Sequence, residues 1–206
     1  MDNIILDGGF DASNLPPALS WFCAPKRWSL ANSRLIVEPE SKTDFWQKTH
    51  YGFSADNGHF LHTTIEGDFV LSTRVRFYPR HQYDQAGLMV RFDADHWLKT
   101  SVEYELEIPS QLGAVVTNRG YSDWSTQPFP PGVNEIELRI TRRGDDYLVQ
   151  YRLPEAAPDW TQIRLARLHN PHGGAIQAGL YACSPVKAGY KAEFDYLRLE
   201  RAEATA

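Results

Sequence analysis

The stretch HWLKTSVEYELE, residues 96–107, alternates between two kinds of side chain along its whole length. Successive side chains of a β-strand point to opposite faces, so a period of two predicts a strand with one buried face. We expect the core-facing set to be Leu98, Thr100, Val102, Tyr104 and Leu106. The opposite set is Trp97, Lys99, Ser101, Glu103, Glu105 and Glu107, and we expect these side chains to emerge together on the other face.

The same alternation recurs along the chain. It appears in FVLSTRVRFY (69–78), AGLMVRF (86–92), NEIELRI (134–140), DYLVQY (146–151), AIQAGLY (175–181) and YKAEFDY (190–196). Turn signals rich in Gly, Pro, Asn and Asp separate these runs, and no long stretch has helical periodicity with caps. The pattern predicts an all-β protein made of antiparallel sheets packed as a sandwich.

Length and composition favour one globular domain. A chain of 206 residues is within the range of a single β-sandwich, so we predict one domain over residues 1–206, ordered from about 5 to 200. The first 27 residues contain three prolines and are predicted to wrap the sandwich irregularly, before first strands near residues 34–38. With 42% hydrophobic and 23% charged residues, disordered and collagen-like classes are excluded.

Charge and hydropathy restrict the partners. A formal net charge of −5 and the lack of a basic run argue against nucleic acid. No segment approaches the roughly 18 apolar residues of a membrane span, and the N-terminus does not resemble a secretory leader. We therefore expect a cytoplasmic protein that binds neither nucleic acid nor membrane.

The sequence contains little that indicates a metal site or cofactor. Cys23 and Cys183 are far apart and outside any zinc-ligand spacing, so we expect two buried thiols. If the chain ends meet, the oxygens of Asp7, Asp11 and Asp195 offer a speculative structural calcium site. No cofactor is predicted.

The polar face of residues 97–107 is the candidate site. Trp97, Lys99 and Glu103 share it, and we expect neighbouring strands to extend the patch. The expected additions are Arg74, Arg76, Tyr78 and Arg91. Indole rings stack on sugar rings while charged groups hydrogen-bond hydroxyls, so the patch favours a neutral, hydroxyl-rich ligand, although a solvated surface has the same composition.

The alternating acids allow a catalytic alternative. Strand residues two apart start roughly 6.6 Å apart, which overlaps the carboxyl separation used by glycosidases. Glu103 and Glu105 are therefore candidate catalytic acids, and ordinary ion pairs with Lys99 and Arg91 are the competing interpretation. No other catalytic fingerprint is present.

Five segments together resemble one protein family. They are TDFWQKTHYGF (43–53), DNGHF (56–60), YDQAGLMVRFDADHWLKTSVEYE (83–105), VVTNRGYSDWST (115–126) and AGLYACSP (178–185). The chain is similar to the domain of unknown function 1349 family, whose named members are called regulation of enolase protein. The resemblance implies a concanavalin A-like lectin/glucanase fold, a two-sheet jelly roll with one concave face. It does not imply a reaction, since fold does not fix function.

The resemblance also implies which residues line the concave face and its rim. They are Trp46, Lys48, Gln85, Gly87, Arg91, Trp97, Lys99, Glu103, Asn118, Ser122, Asp123 and Trp124. In GYSDWST (120–126) we expect a turn at Gly120 that places Tyr121 and Trp124 at the edge of the cleft, with Trp46 as the facing wall. The related glucanases carry Glu-x-Asp-x-Glu on one strand. The nearest match, residues 103–107, has Glu where Asp would stand, which weakens the hydrolase hypothesis.

Three functions remain open at this stage. The first is a noncatalytic, lectin-like domain that binds a carbohydrate or similar polar metabolite. The second is a glycoside hydrolase or lyase-like enzyme that uses Glu103 and Glu105. The third, suggested by the family name, is a regulatory module whose exposed aromatic residues contact a protein partner such as a metabolic enzyme.

Overall fold

β-Strands account for all the regular secondary structure that is seen in residues 4–11, 14–154 and 159–203, the residues that the computed structural model describes. In chain order they are β1 (Ile4–Gly9), β2 (Ser20–Phe22), β3 (Arg27–Ala31), β4 (Arg34–Glu38), β5 (Phe45–Gln47), β6 (Ser54–Asp56), β7 (His59–Ile65), β8 (Phe69–Tyr78), β9 (Gln85–Asp93), β10 (His96–Glu103), β11 (Gln111–Asn118), β12 (Tyr121–Pro128), β13 (Glu135–Arg143), β14 (Asp146–Arg152), β15 (Thr161–Arg167), β16 (Ile176–Cys183) and β17 (Lys191–Arg201). None of the described segments forms a helix with the length and apolarity needed to cross a bilayer.

The strands form two large antiparallel sheets and one small hairpin. The first sheet has the order β15-β14-β13-β8-β17-β4-β3, with β1 also paired to β17. The second has the order β12-β11-β10-β9-β16-β7-β2, and β5 pairs with β6. The all-β antiparallel sandwich predicted from the alternating segments is confirmed.

The main core lies between the two sheets. Leu71 and Val75 of β8 meet Leu88 of β9 and Leu98 of β10, and none of these side chains is exposed. Burying a large apolar side chain contributes about 1.5–3 kcal/mol, and this core contains several dozen buried apolar residues. The period-two alternation is therefore explained by burial of one face of each sheet.

The prediction for the end of β10 is wrong. Glu103 pairs with Gln111 at the start of β11, so residues 104–110 form the connection between the two strands. Leu106 is 60% exposed instead of buried, and Glu105 and Glu107 do not continue the strand face. The alternating pattern extends to residue 107 in the sequence, but the pairing of β10 with β11 ends at Glu103.

The N-terminal segment is more regular than predicted. β1 pairs with β17 of the first sheet and β2 with β7 of the second, so the prediction that residues 1–27 are irregular is wrong in the part described. Cys23 is exposed and only Cys183 is buried, which corrects the prediction of two buried thiols. Both cysteines are free thiols.

Two of the three acids proposed as calcium ligands form ion pairs with arginine side chains. Asp195 accepts from Arg34 and Arg76, and Asp7 pairs with Arg198. Within the described part of the chain, no group of three or more His, Cys, Asp or Glu residues is placed to hold a metal ion.

Candidate functional site

Strand register places the predicted polar residues on the outer face of the second sheet. Trp97, Lys99 and Glu103 point outward from β10, and the adjacent strand β9 aligns Arg91 with Trp97 and Gln85 with Glu103. Arg74, Arg76 and Tyr78 belong to β8 in the first sheet, which corrects the expected patch. Their acidic neighbours there include Glu135 and Glu137 on β13. The polar face therefore comes from one sheet only.

A hairpin formed by β5 and β6 lies over part of this face. Phe45 is completely buried, and its ring centroid is 6.1 Å from that of Trp97. Phe45, Trp46, Trp97, Met89 and Tyr181 belong to a second hydrophobic cluster outside the main core. Trp97 has no exposed surface, and its Nε1 donates to the Ala94 carbonyl, so it offers a ligand no stacking surface in this structure.

Beside the hairpin is an open hollow of about 300 Å³, which we call the Glu103 cleft. Lys99 and Glu103 contribute its charged groups from the sheet, together with Asp44 and Glu105 from loops. Aromatic side chains supply much of the rest. The lining residues are Asp44, Trp46, Tyr51, Phe53, Gln82, Tyr83, Lys99, Glu103, Glu105, Val115 and Trp124.

The charged residues of the cleft form one hydrogen-bonded array. Lys99 Nζ donates to Gln85 Oε1 at 2.9 Å and to Asp44 Oδ1 at 3.3 Å. Gln85 Nε2 in turn donates to Glu103 Oε2 at 2.7 Å. Tyr181 joins the array because its hydroxyl lies 3.1 Å from Gln85 Oε1, to which it can donate, and 2.7 Å from the Ser101 hydroxyl, from which it can accept. Lys99 is only 4% exposed, so its ammonium depends on these oxygens for solvation.

Glu103 has an altered acidity. Burial, aided by the charges of Asp44 and Glu105, raises its pKa from 4.5 to about 8 against the opposing effects of Lys99 and the Gln85 hydrogen bond. Glu103 is therefore mostly protonated at neutral pH. Gln85 donates to Oε2, and Oε1 takes part in none of the hydrogen bonds observed among the described residues. A protonated carboxyl can both donate to and accept from a ligand hydroxyl.

Glu105 lies in the same cleft on the loop after β10. Its Oε2 accepts from Gln82 Nε2 at 2.9 Å. The two candidate acids thus line one hollow, although only Glu103 is held by a strand.

A second hollow, of about 830 Å³, lies where the outermost strands of the two sheets meet; we call it the edge groove. Because β12 ends its sheet, side chains from both of its faces reach this groove. Arg164 of β15 crosses to the other sheet and donates to the Asp123 carboxylate at 2.8 Å and to the Ala114 carbonyl at 3.2 Å. The groove is lined by Trp46, Thr49, His50, Tyr51, Val116, Asn118, Tyr121, Ser122, Asp123, Trp124, Arg164, Leu165, Ala166 and Arg167.

Several predicted site residues have structural partners. Ser122 Oγ accepts from the Gln47 backbone at 2.9 Å and so fastens the hairpin to β12. Asn118 bonds the backbone of Arg167 and His169. Lys48 lies 5.2 Å from the Tyr121 ring centroid.

Five predicted residues line neither hollow: Lys48, Gln85, Gly87, Arg91 and Trp97. The Arg91 side chain pairs with Asp56 at 2.7 Å and stacks on Phe22 at 4.8 Å, so the structure separates it from Lys99 and Glu103. At Gly87 a Cβ atom would come within 2.1 Å of the Thr100 carbonyl oxygen, so this glycine serves close strand packing.

The stretch GYSDWST is mostly strand. The turn lies at Arg119 and Gly120, both in left-handed conformations, and residues from Tyr121 onward form β12. Trp124 is partly buried and lines both hollows, while Tyr121 is 61% exposed. The turn includes Gly120, where one was expected, and the residues after it continue as a strand.

Comparisons with known proteins identify the family. Residues 21–202 match the family model described as "Protein of unknown function (DUF1349)". The chain is also 35% identical over 176 residues to regulation of enolase protein 1 of Saccharomyces cerevisiae (strain ATCC 204508 / S288c), covering 85% of each chain. The chain belongs to this family.

Solved structures similar to this DUF1349 chain share its fold. A functionally unknown protein from Saccharomyces cerevisiae has a TM-score of 0.82 at 33% identity, with 91% of this chain and 98% of that chain covered. The GH43 BlXynB protein from Bacillus licheniformis has a TM-score of 0.76 at 16% identity, with 95% of this chain and 39% of that chain covered. The latter likeness concerns the fold alone.

The sequence analysis missed the aromatic wall of the cleft. Tyr51, Phe53 and Tyr83 are 57%, 45% and 41% exposed. The available signal was the segment HYGF (50–53), in which aromatic residues flank a glycine that has a left-handed conformation. Asp44 was missed as well, since its role depends on the contact with Lys99, 55 positions away.

Proposed function

We propose that this protein binds a neutral carbohydrate, or a similar polyhydroxylated metabolite, in the Glu103 cleft without catalysing a reaction on it. The observation that carries the proposal is the array of Lys99, Gln85 and Glu103 beneath exposed aromatic rings. A buried ammonium and carboxyl cost free energy that an apolar surface would avoid, so their presence in a hollow favours a binding role.

Charge favours a neutral ligand over an anionic one. Lys99 is paired with Asp44, and Glu105 adds a second carboxylate to the lining. An anion would meet carboxylates with no unpaired cation in the cleft lining. Sugar hydroxyls instead find donors and acceptors, and the rings of Tyr51 and Phe53 provide apolar faces for stacking. The volume of about 300 Å³ is at the lower end of the range for ligand cavities.

Calorimetric titration with a panel of neutral mono- and disaccharides tests the proposal, with glucose 6-phosphate as the anionic comparison. Phe53→Ala should weaken binding about tenfold because it removes one stacking surface. Tyr78→Ala is the matched control, since Tyr78 is an exposed aromatic residue of the other sheet. Absence of binding across the panel, or equal effects of the two variants, would contradict the proposal.

The hydrolase alternative rests on Glu103, because a carboxyl with a pKa of about 8 beside other carboxylates is the arrangement of a general acid. Glu103→Gln separates the two hypotheses. The amide resembles the protonated acid and should keep affinity within a few-fold, whereas hydrolysis of aryl glycosides would be lost. Turnover in the wild-type protein that Glu103→Gln abolishes would replace binding with catalysis.

A regulatory role is the other alternative, favoured by the name of the yeast relative. On this hypothesis exposed aromatic residues contact a metabolic enzyme. A stoichiometric complex with purified enolase in size-exclusion chromatography would favour it over the saccharide proposal. The proposed binding requires no cofactor or metal, and we assign it to the cytoplasm in keeping with two free thiols.

A further inference from the structure

The Glu103 cleft and the edge groove share three residues. Trp46, Tyr51 and Trp124 line both hollows. Trp46 and Tyr51 also pack against each other, with ring centroids 5.5 Å apart. The two hollows therefore adjoin along an aromatic ridge formed by these three side chains.

Tyr51 of the ridge lies on a strained loop. Lys48 and His50 both have left-handed backbones, with φ of 54° and 63°. Two short-range bonds close the loop, from Thr49 N to Gln47 O and from Tyr51 N to Thr49 O. Non-glycine residues in this region cost about 1–3 kcal/mol each, and such strain concentrates at ligand sites. This loop conformation places Tyr51, which is 57% exposed, between the hollows.

The chemistry of the edge groove matches that of the cleft. The two arginines that line the groove form ion pairs, Arg164 with Asp123 and Arg167 with Asp145. Tyr121 supplies an exposed ring, as Phe53 does in the cleft. Paired charges and exposed aromatic rings favour a ligand with hydroxyl groups over a ligand with a phosphate or a carboxylate.

We propose that the edge groove is a second subsite for the same ligand, so that the ligand is a neutral oligosaccharide lying across the ridge of Tyr51 and Trp124. This inference rests on the proposed function. With about 830 Å³ against about 300 Å³, the groove has room for more sugar units than the cleft, so we expect the cleft alone to hold a dimer and a tetramer to extend into the groove. Affinity should therefore rise with chain length until both hollows are filled.

The experiment titrates one series of β-1,4-linked glucose oligomers and one of xylose oligomers, from two to six units. For the wild-type protein the affinity should increase at least tenfold between the dimer and the tetramer and then level off. Tyr121→Ala, which alters an exposed residue of the groove alone, should weaken tetramer binding about tenfold and leave dimer binding unchanged. Phe53→Ala, confined to the cleft, should weaken binding of every length.

The outcomes separate the two proposals. If dimers bind but Tyr121→Ala leaves the tetramer unaffected, or weakens dimer and tetramer equally, the second subsite is wrong while the cleft function stands. If no saccharide binds, the proposed function fails and the subsite fails with it. If Tyr121→Ala instead disrupts a complex with purified enolase and leaves saccharides unaffected, the groove is a protein docking surface and the inference is overturned.

Discussion

At the scale of the residue, Lys99 and Glu103 are ionisable side chains on the outer face of the second sheet, and Lys99 is buried while Glu103 is partly buried. Lys99 Nζ donates to two oxygens, from Gln85 and Asp44. Burial, together with the nearby carboxylates of Asp44 and Glu105, raises the pKa of Glu103 to about 8, so its neutral form is favoured at neutral pH.

The raised pKa of Glu103 predicts a pH dependence of stability. The unfolded chain releases this proton near pH 4.5 and the folded chain near pH 8, so the folded state binds more protons between these values. Stability is therefore lost as pH rises through this window, and Glu103→Gln should remove the loss. We expect the variant to gain about 2–3 kcal/mol relative to wild type between about pH 5.5 and 7.5 in urea unfolding.

Glu107→Gln is the control for this measurement, because Glu107 is exposed on the loop after β10. Parallel stability curves for wild type and Glu103→Gln over that pH range would contradict a protonated Glu103.

At the scale of the element, the hairpin of β5 and β6 has the largest effect on the site. Each strand has three residues, yet the hairpin buries Phe45 and closes a second hydrophobic cluster on the outer face. Asp44 ties it to Lys99, and Asp56 ties it to Arg91. A short element that could not be stable alone is stabilised here by side-chain burial and ion pairs.

Phe45→Ala should therefore open the hairpin. Removing a fully buried phenylalanine costs about 3–5 kcal/mol, and the loss falls on a hairpin with only three paired residues in each strand. We expect faster amide hydrogen exchange in residues 43–58 and loss of saccharide binding. Phe53→Ala, at a 45% exposed position of the same segment, should leave the exchange rates unchanged. Unaltered protection in Phe45→Ala would show that the hairpin does not depend on this side chain.

At the scale of the whole molecule, the two outer faces have different roles. The outer face of the first sheet carries ion pairs, in which Glu137 is 2% exposed and accepts from Arg74 at 2.6 Å. The outer face of the second sheet carries the hairpin and the Glu103 cleft. The edge groove needs both sheets, since Arg164 joins β15 to Asp123 of β12.

Glu137→Gln tests this division. The amide leaves the Arg74 guanidinium without its buried counter-charge, and we expect a loss of about 1.5–3 kcal/mol in urea unfolding. Saccharide affinity should be unchanged because the site is on the other sheet. Glu38→Gln is the control, since the Glu38 pair with Arg27 is solvent-exposed and should contribute under about 1 kcal/mol. A loss of affinity in Glu137→Gln would mean that the two faces are coupled.

The strand that carries Lys99 and Glu103, and the face on which their side chains lie, were predicted from the sequence alone. Lys99 and Glu103 were predicted to share a face because the pleat of a strand makes residues two apart parallel, and this geometry needs no distant contact. The resemblance to the DUF1349 family added Trp46 and Trp124 to the predicted site, and both line both hollows. Tyr51 and Asp44 were not predicted, because their places depend on how a loop packs on a distant strand.

The sequence by itself determined the long strands β8 to β10, β13, β14, β16 and β17 and which of their side chains point the same way, but not β1, β2 or the end of β10. Only the tertiary structure decided that β8 and β10 belong to different sheets, which separates Arg74 from Lys99. It also decided that the β5–β6 hairpin buries Trp97 while Glu103 stays at an open cleft. The reason is physical: alternation reflects local backbone geometry, whereas sheet membership and coverage depend on the packing free energy between residues far apart in the chain.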